Sequence, residues 1–255
     1  MDLERAAAEL RVHYQTVYRW VRDGILPAMR IGPEYDVDAA DVERLVAVRS
    51  GRDADGDGPC APDRWVDELV KALVDGDERS ARSLLLALRQ SGVKPTALCD
   101  GLILPALRAV EERRAAGSTS AADRLLAVGI CERLAALLAF PRRGRPRGTA
   151  IVAGPEPAGH RLPGLLATVA LRDDLWRVHD LGANVPARDI VDFAGERNPH
   201  TIVLAAPKAH RPSRDLLATV EGAVAVPVVW YEPETPLTEL AGRVRSVVGS
   251  WRNRG

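Results

Sequence analysis

The chain has 255 residues, with 35 basic and 35 acidic side chains and a formal net charge of zero. Hydrophobic residues make up 46% and charged residues 27%, a balance typical of folded globular proteins and not of disordered chains. No stretch approaches the roughly 18 apolar residues of a membrane span, and the N-terminus lacks the pattern of a signal peptide. We therefore expect a soluble, cytoplasmic protein of two or three domains that does not bind a membrane.

The cysteines and histidines exclude several kinds of site. The chain has three cysteines without metal-ligand spacing, namely Cys60, Cys99 and Cys131. We interpret them as reduced, mostly buried thiols, which excludes a disulfide scaffold or a zinc ribbon. Three histidines of the last third are scattered in the same way, namely His179, His200 and His210. The sequence predicts no metal site.

Residues 3–11 are predicted to form a short amphipathic helix, followed after a tight turn by a second helix over residues 15–23. Residues 26–37 indicate a two-stranded wing, and a third helix is predicted to open at Asp38 or Ala39. The two first helices share a predicted buried face, which consists of Ala7, Leu10, Val12, Val17, Trp20 and Val21. This order predicts a winged helix-turn-helix, a fold that binds double-stranded DNA.

The polar side of the second helix carries residue types that contact base edges and phosphates. With an arginine from the wing, the predicted DNA-binding residues are His13, Tyr14, Gln15, Thr16, Tyr18, Arg19, Arg22 and Arg30. Residues 1–52 hold 8 Arg against 9 Asp or Glu, whereas residues 11–30 hold four Arg against one Asp. Zero net charge therefore predicts weak non-specific affinity and dependence on a specific site. The alternative is a helical interaction module that does not bind DNA.

The first 45 residues resemble the winged helix-turn-helix of the MerR and excisionase superfamily. The motif G-x-L-P-A-x-R-x-G and a strand tyrosine are matched by Gly24, Leu26, Pro27, Ala28, Arg30, Gly32 and Tyr35. The resemblance implies that the second helix enters the major groove and that Arg30 contacts the DNA backbone. One departure is that the wing tip carries Glu34 and Asp36, whose carboxylates would repel phosphate.

Two segments that resist regular structure divide the chain into three predicted domains, at residues 1–50, 62–140 and 149–255. They are an acidic linker at 51–61 and an arginine-rich linker at 141–148. The middle domain carries leucines at helical spacing in four runs, which predicts a four-helix bundle. The last domain alternates four β-branched runs with helical patterns, which is typical of a Rossmann-like parallel sheet with helices on both faces. The predicted fold class is therefore multidomain α and α/β.

Residues 154–164 and 176–186, which follow the first strand and the next helix, resemble the corresponding segments of cobalamin-binding domains. Such domains occur in light-responsive MerR-type cobalamin regulators and in corrinoid carriers of methionine synthase type. The regulators also share the order of a MerR-type head, a bundle and an α/β domain. The resemblance implies that the imidazole of His160 lies beneath the cobalt of a cobalamin.

Several residues depart from the cobalamin-binding pattern. The motif Asp-x-His-x-x-Gly has Ala158 and Pro163 in place of its Asp and Gly, so no carboxylate orients the imidazole. The serine or threonine after the third strand is replaced by residues 205–207, Ala-Ala-Pro. The Gly-Gly pair after the fourth strand is replaced by residues 230–232, Trp-Tyr-Glu, and a fifth strand is missing.

The residues that would cap the upper face of the cobalamin also depart from the family pattern. In the light-responsive regulators a Trp, followed nine residues later by Glu-His, caps the cobalamin, and these positions fall on Arg114 and on Arg124-Leu125. We therefore expect no retained cobalamin, with a cobalamin-binding sensor or a corrinoid carrier as the alternative.

The predicted function is a sequence-specific, MerR-like transcription regulator that binds DNA as a homo-oligomer, a dimer or a tetramer. Its C-terminal part would serve as a sensor or an assembly unit, with a small-molecule ligand between bundle and α/β domain as a further expectation. An excisionase-like architectural factor would not need the rest of the chain. We expect no enzyme, because no nucleophile with a base and no phosphate-binding loop is present in the sequence.

Overall fold

The computed structural model describes residues 1–22, 26, 28–32, 34–50, 63–90, 93–157, 159–208 and 214–252. These residues form two compact units, 1–127 and 128–255. The predicted linker at 51–61 lies outside the described residues. In the part of the chain that is described, no helix combines the length and the apolar character of a membrane span.

The first unit begins with three helices and a hairpin: α1 (Leu3–Glu9), α2 (Tyr14–Arg22), β1 (Ala28–Ile31), β2 (Glu34–Val37) and α3 (Ala39–Ser50). Asp2 and Asp38 begin α1 and α3, because their carboxylates accept the N–H groups of Arg5 at 2.7 Å and Ala40 at 2.9 Å. The core contains most of the predicted buried face and residues of the hairpin and α3: Leu3, Ala6, Ala7, Leu10, Val17, Trp20, Leu26, Val37 and Val42. Val12 and Val21 are partly buried against this core.

Helices occupy the four leucine runs of the middle segment: α4 (Asp63–Val74), α5 (Glu78–Gln90), α6 (Pro95–Leu98) continued through a π-helical turn (Cys99–Ile103) into α7 (Leu104–Ala115), and α8 (Ala121–Leu138). Within the first unit, α4 packs against both α5 and α7. The boundary between the two units falls inside α8. The helices from α4 to α7 pack together as a helical bundle.

The π-helical turn has a local cause in Pro105. Proline has no backbone N–H, so the carbonyl of Gly101 lacks its usual helical donor. The chain continues through one wider turn, in which the N–H of Leu104 donates to the carbonyl of Cys99. Leucine spacing alone predicts one helix here and does not reveal the interruption.

The carboxylate of Asp77 begins α5, and the hydroxyl of Ser120 begins α8. Asp77 accepts the N–H of Ser80 at 3.1 Å and its hydroxyl at 2.6 Å. The carboxylate of Asp123 accepts the N–H of Ser120 at 2.8 Å, and the hydroxyl of Ser120 accepts the N–H of Asp123 at 3.1 Å. The hydrogen bonds from the two serines hold the pKa of Asp77 and of Asp123 below its ordinary value.

The second unit continues with alternating strands and helices: β3 (Thr149–Ala153), α9 (Leu162–Asp173), β4 (Arg177–Asp180), α10 (Ala187–Arg197), β5 (Thr201–Ala205), α11 (Arg214–Ala223), β6 (Val228–Tyr231) and α12 (Leu237–Arg252). The strands form a four-stranded parallel sheet in the order β4-β3-β5-β6. In the described residues the sheet has the four predicted strands and no fifth one.

Helices cover both faces of this sheet. α10 and α11 supply Ile190, Ala194 and Val220 to a core on one face, and α9 packs against α12 and the sheet. The thiols of Cys99 and Cys131 are buried, and burial together with Glu132 raises the pKa of Cys131 to about 12. Cys60 lies outside the described residues.

Gly148 offers a test of the packing at the start of the sheet. A Cβ atom at this position would meet Trp176 Cζ3 at 2.9 Å and His200 Cγ at 3.0 Å. We expect Gly148→Ala to lower the free energy of unfolding by about 1–3 kcal/mol, measured by chemical denaturation. Gly195→Ala is the matched control, because a Cβ there meets nothing within 4 Å on α10. Equal stability of both variants and the unmodified chain would contradict the packing described here.

Candidate functional site

His13 fixes the start of α2. Its Nδ1 accepts the N–H of Gln15 at 3.3 Å, and its backbone carbonyl accepts the N–H of Thr16 at 2.8 Å. Two N–H groups of the first turn therefore have partners, which a helix start requires. The tight turn between α1 and α2 contains Arg11, whose φ of 51° lies in the left-handed region. His13 is thus placed beside the polar side of α2.

One side of α2 is buried and the opposite side is exposed. Val17 and Trp20 are buried, with 0% and 8% of their surface accessible. Thr16 is half-buried, and the other predicted DNA-binding residues are exposed: His13, Tyr14, Gln15, Tyr18, Arg19, Arg22 and Arg30. The spacing of Gln15, Tyr18, Arg19 and Arg22 places them along one stripe of the helix.

A row of three tyrosines joins this side of α2 to the hairpin. The rings of Tyr14 and Tyr18 are stacked with centroids 6.4 Å apart, and the ring of Tyr35 meets Tyr18 edge-on at 5.9 Å. Tyr35 is the cross-strand partner of Arg30, so the two side chains lie on the same face of the hairpin. Arg30 donates from Nε to the carbonyl of Gly32 at 3.2 Å. Tyr35 therefore belongs to this surface, although the predicted DNA-binding residues do not include it.

Asp36 lies on the opposite face of the hairpin. It pairs with Met29 across the strands, and neighbouring residues of a strand alternate between faces. Its carboxylate also forms an ion pair with the amino group of Met1 at 2.8 Å. The predicted repulsion of phosphate by Asp36 therefore does not apply to the face of the hairpin that carries Arg30 and Tyr35. The side chain of Glu34 lies outside the described residues.

The second candidate site lies where β3 and β4 end. The N–H of Gly154 donates to the carbonyl of Gly182 at 2.7 Å, and the N–H of Val185 donates to the carbonyl of Gly154 at 3.0 Å. The loops after the two strands are therefore held side by side. Because both strands are parallel, these loops are at the carboxyl end of the sheet, where open α/β sheets bind ligands.

These loops border a polar cleft of about 550 Å³, lined by Glu132, Gly159, His160, Arg161, Asp180, Leu181, Gly182, Ala183 and Asn184. Glu132 accepts the N–H of Arg161 at 2.7 Å, which ties the His160 loop to α8. Asp180 accepts the N–H of Gly182 at 2.9 Å, and its other oxygen lies 3.8 Å from Arg161 Nη2. His160 thus lines an open cleft that two carboxylates also line, while Ala158 lies outside the described residues.

The positions that the resemblance assigns to a cobalamin tail are filled by buried, mostly apolar side chains. Tyr231 is fully buried, and Ala205 and Ala206 have at most 1% of their surface accessible. α9 begins directly after the His160 loop and is buried at every residue from Leu162 to Leu171. The residues present offer a poor fit to a buried nucleotide tail.

The residues that align with the upper cap lie near one another in the first unit. Arg114 Nε lies 3.3 Å from Glu111, and Arg124 forms an ion pair with the same carboxylate. Leu125 is 65% exposed. Two arginines sharing a carboxylate therefore stand at the Trp and Glu positions of the resemblance, and the exposed Leu125 stands at the His position.

The remaining histidines have structural surroundings or lie outside the described residues. His179 meets the ring of Phe193 edge-on at 5.7 Å. His200 accepts the N–H of Thr149 at 3.1 Å. His210 is outside the described residues. In the part of the chain that the structure describes, no three His, Cys, Asp or Glu side chains are arranged to hold a metal ion.

The geometry defines the class of protein: a helical head with an exposed polar helix, a helical bundle and a parallel-sheet α/β domain. Comparison with protein families agrees with this description. Residues 1–49 match a helix-turn-helix domain, and residues 65–138 match a B12 binding domain. The chain therefore carries a helix-turn-helix domain followed by a B12 binding domain, and the latter match covers the bundle. A comparison with curated proteins finds no match.

Solved structures of corrinoid proteins resemble the chain. The monomethylamine corrinoid protein of Methanosarcina barkeri has a TM-score of 0.59 at 16% identity, covering 73% of this chain and 100% of that chain. The methanol:cobalamin methyltransferase complex of the same organism has a TM-score of 0.35 at 15% identity, covering 84% and 93%. A cobalamin-binding protein of Desulfitobacterium hafniense has a TM-score of 0.31 at 19% identity, covering 71% and 89%. The first likeness shows a helical bundle with a parallel-sheet cobalamin-binding fold.

Proposed function

We propose that the chain is a sequence-specific, MerR-like transcription regulator that binds double-stranded DNA through a winged helix-turn-helix. The observation that carries the proposal is the single exposed surface formed by α2 and the hairpin. The contact between Tyr18 and Tyr35 brings the exposed side of α2 together with the hairpin face that carries Arg30. A recognition helix and a wing act on the same duplex only when they share a face in this way.

The residues of this surface divide into two roles. Gln15 and its neighbours in the first turn of α2 are suited to contact base edges, because recognition helices read bases with their N-terminal residues. Arg19, Arg22 and Arg30 are suited to bind phosphate oxygens, which position a protein without specifying sequence. Few basic residues imply weak binding by one chain. The regulator therefore acts as a homo-oligomer, a dimer or a tetramer, whose avidity compensates for the weak single contact.

We assign the C-terminal part a sensing or assembly role in the cytoplasm, without catalysis and with a degenerate cobalamin site. Support comes from Tyr231, which is buried where the resemblance predicts a Gly-Gly pair, and from Ala205 and Ala206, which supply no hydroxyl. These residues do not supply the groups that the resemblance assigns to binding of the nucleotide tail. The carboxylate that should orient His160 is replaced by Ala158.

The alternative function is a cobalamin-binding sensor or a corrinoid carrier. It is favoured by the cleft around His160, which lies at the carboxyl ends of β3 and β4. In that case His160 would hold the cofactor from below, and Asn184 and the Gly182 loop would border it. The cofactor would supply cobalt chemistry, and the chain would bind and orient it.

The role of α2 is tested with genomic duplex fragments captured by the unmodified chain. We expect Arg19→Ala and Arg22→Ala each to weaken binding to these fragments by about ten- to a hundredfold in mobility-shift titrations, because a phosphate contact is lost. Arg79→Ala, on the exposed side of α5, is the control and should bind like the unmodified chain. Titrations in which Arg19→Ala and Arg22→Ala match the control would refute the assignment of α2.

The degenerate site is tested by mixing the purified chain with adenosylcobalamin or hydroxocobalamin, desalting and recording the visible spectrum. We expect no retained corrinoid absorbance, since the chain lacks the hydroxyl and the Gly-Gly pair that the resemblance assigns to the nucleotide tail. His160→Ala should then give the same spectrum, as should His13→Ala in the other unit. Absorbance retained by the unmodified chain and by His13→Ala, but lost in His160→Ala, would establish the alternative function instead.

A further inference from the structure

Residues 141–148 are an exposed, arginine-rich segment of the second unit that the proposed function does not use. The segment contains Arg142, Arg143, Arg145 and Arg147, and every residue from Phe140 to Arg147 is exposed. It forms neither a helix nor a strand. A run of arginines is by itself no binding site. This segment differs from a solvated loop in its contacts with the turn between α9 and β4 and in the ion pairs of its arginines.

Two of the four arginines anchor the segment to the turn between α9 and β4. Arg142 Nη1 donates to the carbonyl of Asp173 at 3.2 Å and to its carboxylate at 3.3 Å. Arg147 Nε donates to the carbonyl of Asp174 at 2.9 Å and lies 3.3 Å from its carboxylate. The segment is thus tied down at both of its ends.

The backbone between these anchors also approaches the turn. The N–H of Arg147 donates to the carbonyl of Leu175 at 3.0 Å. Gly144 has a φ of 152°, and a Cβ atom there would meet the side chain of Leu175 at 3.0 Å. A residue with a side chain would have to move away, so glycine permits this close approach. The segment is therefore a fixed surface and not a loose loop.

The other two arginines of the segment are Arg143 and Arg145. Arg143 and Arg145 form no ion pair with any residue of the described ranges. Asp174, a carboxylate of the turn, is already bound by Arg147, by Arg245 at 2.7 Å and by the indole N–H of Trp176 at 3.2 Å. Within the described residues of the second unit, the charges of Arg143 and Arg145 are therefore not neutralised by an ion pair.

We propose that the segment at 141–148 binds the phosphate backbone of duplex DNA through Arg143 and Arg145, as a second, sequence-independent contact. This inference rests on the proposed function. The segment lies at the amino end of the sheet, beside the start of β3, and is therefore separate from the cleft at the carboxyl end. Guanidinium groups suit phosphate oxygens because they donate several hydrogen bonds in a planar array. The same chain then has a reading surface on α2 and a charge-dependent surface on its second unit.

Salt dependence tests this second contact. The full chain is titrated with a duplex of arbitrary sequence at several salt concentrations, and log K is plotted against log salt concentration. We expect the slope of the double variant Arg143→Ala/Arg145→Ala to be shallower by about 2, because each lost phosphate contact removes roughly 0.9. The charge-preserving variant Arg143→Lys/Arg145→Lys should keep a slope close to that of the unmodified chain.

The controls separate this inference from the proposed function. Arg79→Ala/Arg82→Ala removes two exposed arginines of α5 and should leave the slope unchanged. Should the unmodified chain bind neither this duplex nor the genomic fragments at low salt, both the proposed function and this inference would fall; should it bind only the genomic fragments, only this inference would fall. Should it bind with a slope that the double alanine variant shares, only this inference would fall. Tighter, Arg143- and Arg145-dependent binding to single-stranded RNA of equal length would also overturn it, since the partner would then be RNA.

Discussion

A chain with equal numbers of acidic and basic side chains attracts DNA only where its fold separates the two kinds of charge. The hairpin does this by alternation, because Arg30 and Tyr35 share one face while Asp36 lies on the other and is bound by an amino group. In the 141–148 segment, Asp173 and Asp174 pair with Arg142 and Arg147, whereas Arg143 and Arg145 pair with no carboxylate of the described residues. Zero net charge thus conceals two local basic surfaces.

Most elements of the fold could be predicted from the sequence because burial leaves a local pattern. The apolar spacing of α2 placed Val17 and Trp20 in the core, and the short β-branched run at β3 is buried at four of its five residues. Glycine and proline marked the ends of several helices. The bundle and the order of strands and helices followed from these signals, and the family comparisons agree with the domains that they indicate.

The parts that could not be predicted depend on contacts between distant residues. The place of Tyr35 against Tyr18 requires the hairpin to fold back onto α2, and the bond from Arg161 to Glu132 joins residues 29 positions apart. Wing-tip carboxylates could be counted in the sequence, yet the face of Asp36 depends on the strand register. Likewise, the π-helical turn before Pro105 forms because proline has no backbone N–H, and the spacing of the leucines does not predict this turn.

The central claim, that α2 reads a DNA sequence, is tested most directly by selection of binding sites from a random pool of duplexes. The account predicts that the full chain enriches one discrete motif, repeated if chains assemble, and that Gln15→Ala alters the preferred base at a defined position of that motif. Selection that enriches no motif, or a motif that Gln15→Ala leaves unchanged, would contradict it.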